Sequence, residues 1–503
     1  MSFFKRSIRH VMFVATIAIV AIWSLSIVEW GSDFGIYYAY SYFIDDDYRL
    51  YKEAFSHKGP LYYLFISLLG GVIGWGAWQA YFTLFVTTLI FYLPVFYILS
   101  KRVKSNLASI LILTVSLILL NNQPTNLSIS LFQGGFLLLS FYFLIESIST
   151  NENSGIKEYV ISVVLFGCAV LVRIDVLIYA PAYLVAIIFS AINVNNIFIV
   201  IKRSTIGVLI LLALYMANQL YFGYSLLEYF KHNVEFNKFY NFGSSLFYVY
   251  RPEHVAILIS SGLLVLSSVV LACKHVDIFG DAKEMETFWW KQRQTQKYIL
   301  TLFIFLLGLA LWVLSKSDKN YHVFIIAVPI LFFLIYWGST LGCCKLPRNI
   351  LYIWTPILLY MVLLSLTSGL NTVYKGYKNH ENCFINIYCS SSPLIEYKKT
   401  IESISQEDSV TLVGGRGWLY FFANIEPEGA INNWWMYYKE KSFSTKYLLA
   451  AHNKLIARPS GYQFWIDNIL FEEGTARSKY FYEILNNSEF VENEGKYSRY
   501  KIK

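Results

Sequence analysis

Between residues 31 and 76 the chain reads GSDFGIYYAYSYFIDDDYRLYKEAFSHKGPLYYLFISLLGGVIGWG. Its charged side chains are of the types that transfer chemistry needs. Asp33 stands three residues beyond Trp30, and three consecutive acids follow at Asp45, Asp46 and Asp47. The cluster His57-Lys58-Gly59-Pro60 closes the charged stretch. A carboxylate at a membrane surface can act as a general base toward an acceptor hydroxyl. Lys and His donors nearby can hold a phosphate and stabilise its charge as it leaves. Together they suit transfer of a group from a lipid-linked phosphate to a hydroxyl. The plainer alternative uses the same residues as a solvated helix end, a solvated acidic turn and, at Lys58, a snorkelling anchor.

These residues need elements to hold them, and composition says which kind. Of 503 residues, 56% are hydrophobic, 18% aromatic and only 15% charged, against about 25% charge in a soluble chain. Disorder, collagen-like repeats and a small disulfide scaffold are excluded by the same numbers. A polytopic membrane protein remains, and its apolar runs are present. They lie at 11–30, 77–100, 106–120, 127–148, 159–172, 176–193, 205–221, 255–273, 298–314, 323–341 and 350–368, eleven in all. The first follows Lys5, Arg6 and Arg9 without a small-residue cleavage site, so it reads as a retained anchor. Lys and Arg favour the cytoplasmic side of such chains. With the N-terminus inside, the inner segments carry 16 of them and the longer outer loops 9. The N-terminus is therefore expected in the cytoplasm and the C-terminus outside.

Residues Pro60–Gly74 are apolar, but 15 residues of helix span only about 22 Å, short of the roughly 30 Å hydrocarbon core. They read as a helix at the membrane surface, begun by Gly59-Pro60, since Pro suits a first helical turn. The Tyr/Phe-rich stretch with Phe34, Tyr37, Tyr38, Phe43 and Ile44 reads as a second, amphipathic interfacial helix. The first 368 residues thus form a membrane module, and 369–503 a soluble α/β domain outside the membrane, with strands near Ser409–Val413 and Tyr497–Ile502 and a helix over Thr445–Ala457. Cys383 and Cys389 fall in that domain, where a disulfide and two free thiols are both open.

The order of an Asp just after the first span, an aromatic helix, and the run His57-Lys58-Gly59-Pro60-Leu61 resembles the polytopic glycosyltransferases of the C superfamily. The protein O-mannosyltransferases and the lipid A aminoarabinose transferases belong there. The match runs from Asp33 to Tyr63, with Gly59 standing where the family more often has Pro. The resemblance implies inverting transfer of a sugar from a polyprenyl phosphate on the outer membrane face. It implies that Asp33 is the catalytic base or acceptor-positioning acid and that Lys58, with His57, contacts the donor phosphate. The segment Lys316, Asp318, Lys319, Tyr321, His322 resembles the basic segment before a Pro-containing span in the same superfamily, with Tyr-His in place of His-Tyr. Lys316, Lys319 and His322 join the donor-phosphate candidates on that ground.

Other positions are weaker. Arg173 and Asp175 are boundary charges on the outer side of this topology, either site-lining or a local ion pair. Tyr37 is a further lining candidate. Glu228, His232 and Arg251 lie in an aromatic loop at 222–254 that reads as a lid or as a plain interfacial loop. Gln133 is a polar residue in a Leu/Phe span, where a packing hydrogen bond is the simpler role. Asp45, Asp46 and Asp47 are acceptor or metal candidates; the chemistry requires no cofactor, and a divalent cation there is compatible with it.

No GxxxxGK[ST] or GxGxxG occurs, which fits a lipid-linked rather than a nucleotide-linked donor. The C-terminal part holds sixteen basic and fifteen acidic residues, so it is no electrostatic trap for nucleic acid. The expected fold is a polytopic α-helical membrane protein with a C-terminal α/β extracytoplasmic domain. The expected role is transfer of a sugar to an acceptor hydroxyl at a bacterial cytoplasmic membrane. The partners are then the polyprenyl-phosphate sugar, membrane lipids and an acceptor that is a glycan such as O-antigen, a lipid or a protein. A polysaccharide polymerase or ligase is the rival enzyme, and a lipid-linked sugar transporter the rival non-enzyme; the early position of the charged motif and the lack of an internal repeat favour the transferase.

Overall fold

The computed structural model describes residues 33–44, 58–102, 124–148, 155–224, 293–315, 397–407, 409–413, 418–427, 455–471, 479–494 and 496–503, with shorter pieces at 227, 229, 328–329, 331–333, 335–336 and 453. Its helices are α1 (Asp33–Ile44), α2 (Pro60–Ile73), α3 (Ala77–Arg102), α4 (Pro124–Glu146) and α5 (Ile156–Val172). A 3-10 turn (Ile174–Tyr179) leads into α6 (Ala180–Val194), followed by α7 (Phe198–Phe222) and α8 (Arg293–Ser315). The C-terminal elements are α9 (Lys398–Ile404), β1 (Ser409–Val410), β2 (Leu412–Val413), α10 (Trp418–Ala423), β3 (Glu426–Pro427), β4 (Gln463–Asp467), α11 (Lys479–Asn486), β5 (Ser488–Glu494) and β6 (Tyr497–Ile502). The chain divides into two compact units, and the division falls inside α3 between Leu84 and Phe85 and inside α7 between Ala217 and Asn218.

The first unit is helical. Among the described residues four helical stretches are long and apolar enough to cross a membrane: Trp78–Lys101, Ser128–Glu146, Ile174–Val194 and Phe198–Phe222. They coincide with four of the apolar runs read from the sequence. Helix α5 and the apolar part of α8 match two more but are shorter. The runs at 11–30, 106–120, 255–273 and 350–368 lie outside the described residues, and the one at 323–341 is described only in part. Helices α3 and α4 approach closely at Gly135, where a Cβ would run into the Ile90 carbonyl oxygen. Helix α7 leaves Leu209, Leu212, Met216 and Leu220 exposed, a surface that suits lipid and not water.

One end of this unit gathers the ends of five helices through buried polar groups. The Arg203 guanidinium donates to the Ser147 carbonyl (3.0 Å) and the Ser190 hydroxyl (2.8 Å) and stands over the Tyr159 ring at 5.5 Å. Lys297 pairs with Glu146 at 3.0 Å, and the Asn193 amide donates to Gln296 at 2.8 Å. Arg203 and Lys297 fall just before the apolar runs at 205–221 and 298–314, and both lie within helices and are 2% and 5% exposed. A charge is tolerated inside a bundle when its partner is brought to it, and here the partners come from helices far away in the chain.

The second unit holds α1, α2, the first turns of α3, the end of α7 and the C-terminal elements. Helix α2 forms as expected, with Gly59 extended at its start, Pro60 in its first turn and 14 residues in all, too few to span a membrane. It buries Tyr62, Tyr63 and Ile66 and leaves Leu68 and Val72 exposed. Helix α1 also forms, but it lacks the expected water-facing or lipid-facing side. Phe34, Tyr37, Tyr38, Ala39, Tyr40, Ser41 and Phe43 are all buried, because α2 covers one side and α10 another. Tyr37 sits edge-on to Tyr62 and Tyr63 at 5.8 and 5.9 Å, and Phe43 meets Tyr420 of α10.

Tyr38 ties α1 to the turn before α3. Its hydroxyl donates to the Gly76 carbonyl at 3.0 Å and accepts from the Gly76 N–H at 2.9 Å. Burial pushes the phenol far above its ordinary range, so it stays a donor. Tyr38→Phe leaves both Gly76 groups unmatched, and we expect a loss of about 1–3 kcal/mol in unfolding measured in detergent. A variant as stable as the wild type would remove this tie.

The C-terminal elements build a mixed four-stranded sheet, β2-β4-β6-β5, and a separate parallel pair, β1-β3. Strand β2 runs parallel to β4, and β6 pairs antiparallel with both β4 and β5. Glu494 anchors α9 to this sheet: it accepts from the Trp465 indole at 2.6 Å and the Ser403 hydroxyl at 2.9 Å. Strands read near 409–413 and 497–502 are present; of the helix read at Thr445–Ala457, only residues 453 and 455–457 are described.

Candidate functional site

Asp33 is the first residue of α1, and Lys58 precedes the extended Gly59 that opens α2. Both therefore sit at the beginnings of two helices that pack on each other. The aromatic contacts of Tyr37 with Tyr62 and Tyr63 fix that packing, so Tyr37 is 4% exposed and serves as a wedge between α1 and α2. The Lys58 side chain is half-buried. A helix N-terminus exposes unpaired N–H groups and favours negative charge beside it. Two such ends held by a rigid aromatic interface are a suitable mount for an acid and a phosphate-binding cation.

His57, Asp45, Asp46, Asp47, Lys316, Lys319, His322, Glu228, His232, Arg251, Cys383 and Cys389 lie outside the described residues. Among the described residues no three His, Cys, Asp or Glu side chains gather as a metal site, and Cys168 is a free thiol.

Arg173 and Asp175 belong to the first unit. Helix α5 ends at Arg173, whose backbone is extended, and the 3-10 turn begins immediately. That break folds the two side chains onto each other: the guanidinium meets the carboxylate at 2.5 Å, and both are mostly buried. Arg173 also reaches the Ser130 hydroxyl at 3.4 Å. The Gln133 amide lies across the break, 3.4 Å from the Ala169 carbonyl, 3.3 Å from the Arg173 carbonyl and 3.4 Å from Asp175 Oδ1. It thus adds a donor to carbonyls at the end of α5, the packing role that its setting suggests. Ser130, Gln133, Asp175 and Tyr179 line one small pocket, closed by Leu311 and Val328. The sequence marks Arg173, Asp175 and Gln133 by their polarity. Nothing in it marks Ser130 or Tyr179, since serine and tyrosine are common in these spans.

The class defined by these elements is a helical membrane protein with several apolar spans and a small C-terminal sheet. No protein-family model matches the chain, and no curated protein does. Solved structures do match. The crystal structure of ArnT from Cupriavidus metallidurans bound to undecaprenyl phosphate superposes with a TM-score of 0.57 at 13% identity, covering 98% of this chain and 97% of that one. The apo structure of the same protein gives 0.54 at 13% identity over the same shares. The resemblance carried by Asp33–Tyr63 therefore extends, as a likeness of fold, over nearly the whole chain.

Proposed function

We propose that the chain is an inverting glycosyltransferase that moves a sugar from a polyprenyl phosphate to an acceptor hydroxyl on the outer face of a bacterial cytoplasmic membrane. The observation that carries this is the fold shared over 98% of the chain with ArnT, one structure of which holds undecaprenyl phosphate. The residue match at Asp33 and His57–Leu61 supports it independently. In this reading Asp33 takes the acceptor proton as the oxygen attacks the anomeric carbon. The bond from that carbon to the phosphate oxygen breaks, its electron pair leaves with the phosphate, and the anomeric configuration inverts. Lys58, with His57 and with Lys316, Lys319 or His322, holds the phosphate as its charge grows. The scheme needs no cofactor, and it leaves Asp45, Asp46 and Asp47 to the acceptor or to a divalent cation. The full reading keeps eleven spans, a cytoplasmic N-terminus and an extracytoplasmic C-terminal domain. The acceptor in this reading is a cell-surface glycan such as O-antigen.

The test is turnover of a panel of short-chain polyprenyl-phosphate sugars (glucose, mannose, galactose, N-acetylglucosamine, aminoarabinose) by the purified chain in detergent. Turnover of one member is the expected result; a folded chain that releases none of these sugars would overturn the assignment. With the active donor in hand, Lys58→Ala should lower kcat/KM by about 10- to 100-fold, the worth of a charge-assisted phosphate contact, and Lys58→Arg should recover part of it. Unchanged kinetics in Lys58→Ala would remove this lysine from the donor site.

A further inference from the structure

Helix α2 turns its polar side chains inward and its apolar ones outward. Tyr62, Tyr63 and Ser67 lie on the face it buries in the second unit. Along the opposite face run Leu61, Leu64, Phe65, Leu68 and Val72, at the spacing of one helical stripe. The first three are half-buried, and Leu68 and Val72 are 59% and 83% exposed. No charged residue occurs from Pro60 to Ile73. An outward face of this kind is unfavourable in water, so it calls for a hydrocarbon cover.

Two hydrocarbons compete for it, the bilayer and the chain of a lipid-linked donor. A helix built to lie on a bilayer carries a polar face rich in Lys and Arg toward the water. Helix α2 has none, because the side opposite the stripe is packed on protein, with Tyr37 of α1 against Tyr62 and Tyr63. The stripe is also held rigid. The Gln79 amide donates to the Ile66 carbonyl at 3.1 Å, and the Gly74 N–H closes the last turn on the Gly70 carbonyl at 2.8 Å. The Trp75 ring packs so closely on Gly70 that a Cβ there would run into it. A preformed surface spares part of the cost of ordering what binds to it. Position favours the donor's chain. The stripe begins at Leu61, three residues beyond Lys58 in the same unit, and runs about 16 Å to Val72. A prenyl chain starts at its phosphate, so a phosphate held at Lys58 brings the first isoprene units to the start of the stripe.

We propose that the outer stripe of α2 is the track for the donor's polyprenyl chain, with Leu68 and Val72 contacting the isoprene units beyond the first. The inference rests on the glycosyltransferase reading above and deepens its donor site. Apolar contact of this kind reads the length of the chain and is indifferent to the sugar.

The experiment uses the active sugar on dimethylallyl, geranyl, geranylgeranyl and undecaprenyl phosphate, with purified protein in detergent. Wild type is compared with the double variant Leu68→Ala, Val72→Ala, and with Leu212→Ala, Met216→Ala on the exposed face of α7 as a control. Leu68 and Val72 are exposed, so thermal stability should hold. For the undecaprenyl donor we expect KM to rise about tenfold with kcat unchanged, since the trimmed side chains contribute only apolar contact remote from the reacting atoms. The rise should shrink as the chain shortens and vanish with dimethylallyl, which ends before Leu68, about 10 Å along the helix from Leu61. Lys58→Ala should instead weaken every donor alike, because all carry the phosphate. A loss equal at every chain length would mean that the stripe only seats α2 in the bilayer, and would overturn the inference. The same chain-length pattern in the α7 control, or an active enzyme indifferent to the α2 variant, would also overturn it while leaving the glycosyltransferase reading intact. A folded wild type that turns over no donor would overturn that reading, and this inference with it.

Discussion

Asp33→Asn is expected to lower kcat by about 10²- to 10⁴-fold, the usual worth of a general base, with the donor's KM changed much less. The substitution keeps the size and planarity of the side chain and removes only its capacity to take a proton. Position argues for the size of the effect. Asp33 opens α1, and α1 is buried on nearly every side from Phe34 to Phe43. Tyr37 is wedged between Tyr62 and Tyr63, and Tyr38 is bonded twice to Gly76. A base at the start of such a helix has its backbone held in place, the condition under which positioning contributes most to rate. Because Asn has the size and shape of Asp, the variant should fold and insert as the wild type does. Expression, thermal stability and binding of bare polyprenyl phosphate should be unchanged. Full turnover in Asp33→Asn would end the assignment of this residue.

The elements that position Asp33 and Lys58 were partly visible in the chain. The two short helices and the Gly59-Pro60 start are local features, set by aromatic content and by proline's fit to a first turn. What α1 packs against was not visible. DFGIYYAYSYFI carries aromatic residues around its whole circumference, which suits either an interfacial helix or a buried one. The choice is made by α10, nearly 400 residues later, through Tyr420. Strand β5, SEFVENE, was hidden for another reason: it is an edge strand with mostly exposed side chains and a bulge at Phe490–Glu492, so it lacks a clean apolar alternation. Arg173 and Asp175 could be picked out as boundary charges, but their convergence with Gln133 depends on the break after α5. The solved structures add the global arrangement that 13% identity conceals from sequence comparison.

The same limitation applies to Lys297 and Glu146, which lie 151 residues apart and form a 3.0 Å ion pair. Lys297 is 7% exposed at its side chain and Glu146 23%. Removing one member of a buried pair leaves the other charge without its compensation in a low-dielectric setting, which costs about 3–5 kcal/mol. With Glu146 partly accessible, we expect Lys297→Met and Glu146→Gln each to lose about 3 kcal/mol of unfolding free energy in detergent, the low end of that range. The double variant should recover most of the loss, since replacing both charges removes the desolvation penalty along with the attraction. The pair joins the end of α4 to the start of α8, and these helices carry Gln133 and Leu311 of the pocket at their other ends. Loosening the pair therefore predicts lower stability in the single variants and recovery in the double variant. Two single losses that simply add in the double variant would show that the charges act independently, and the link between α4 and α8 would have to lie elsewhere.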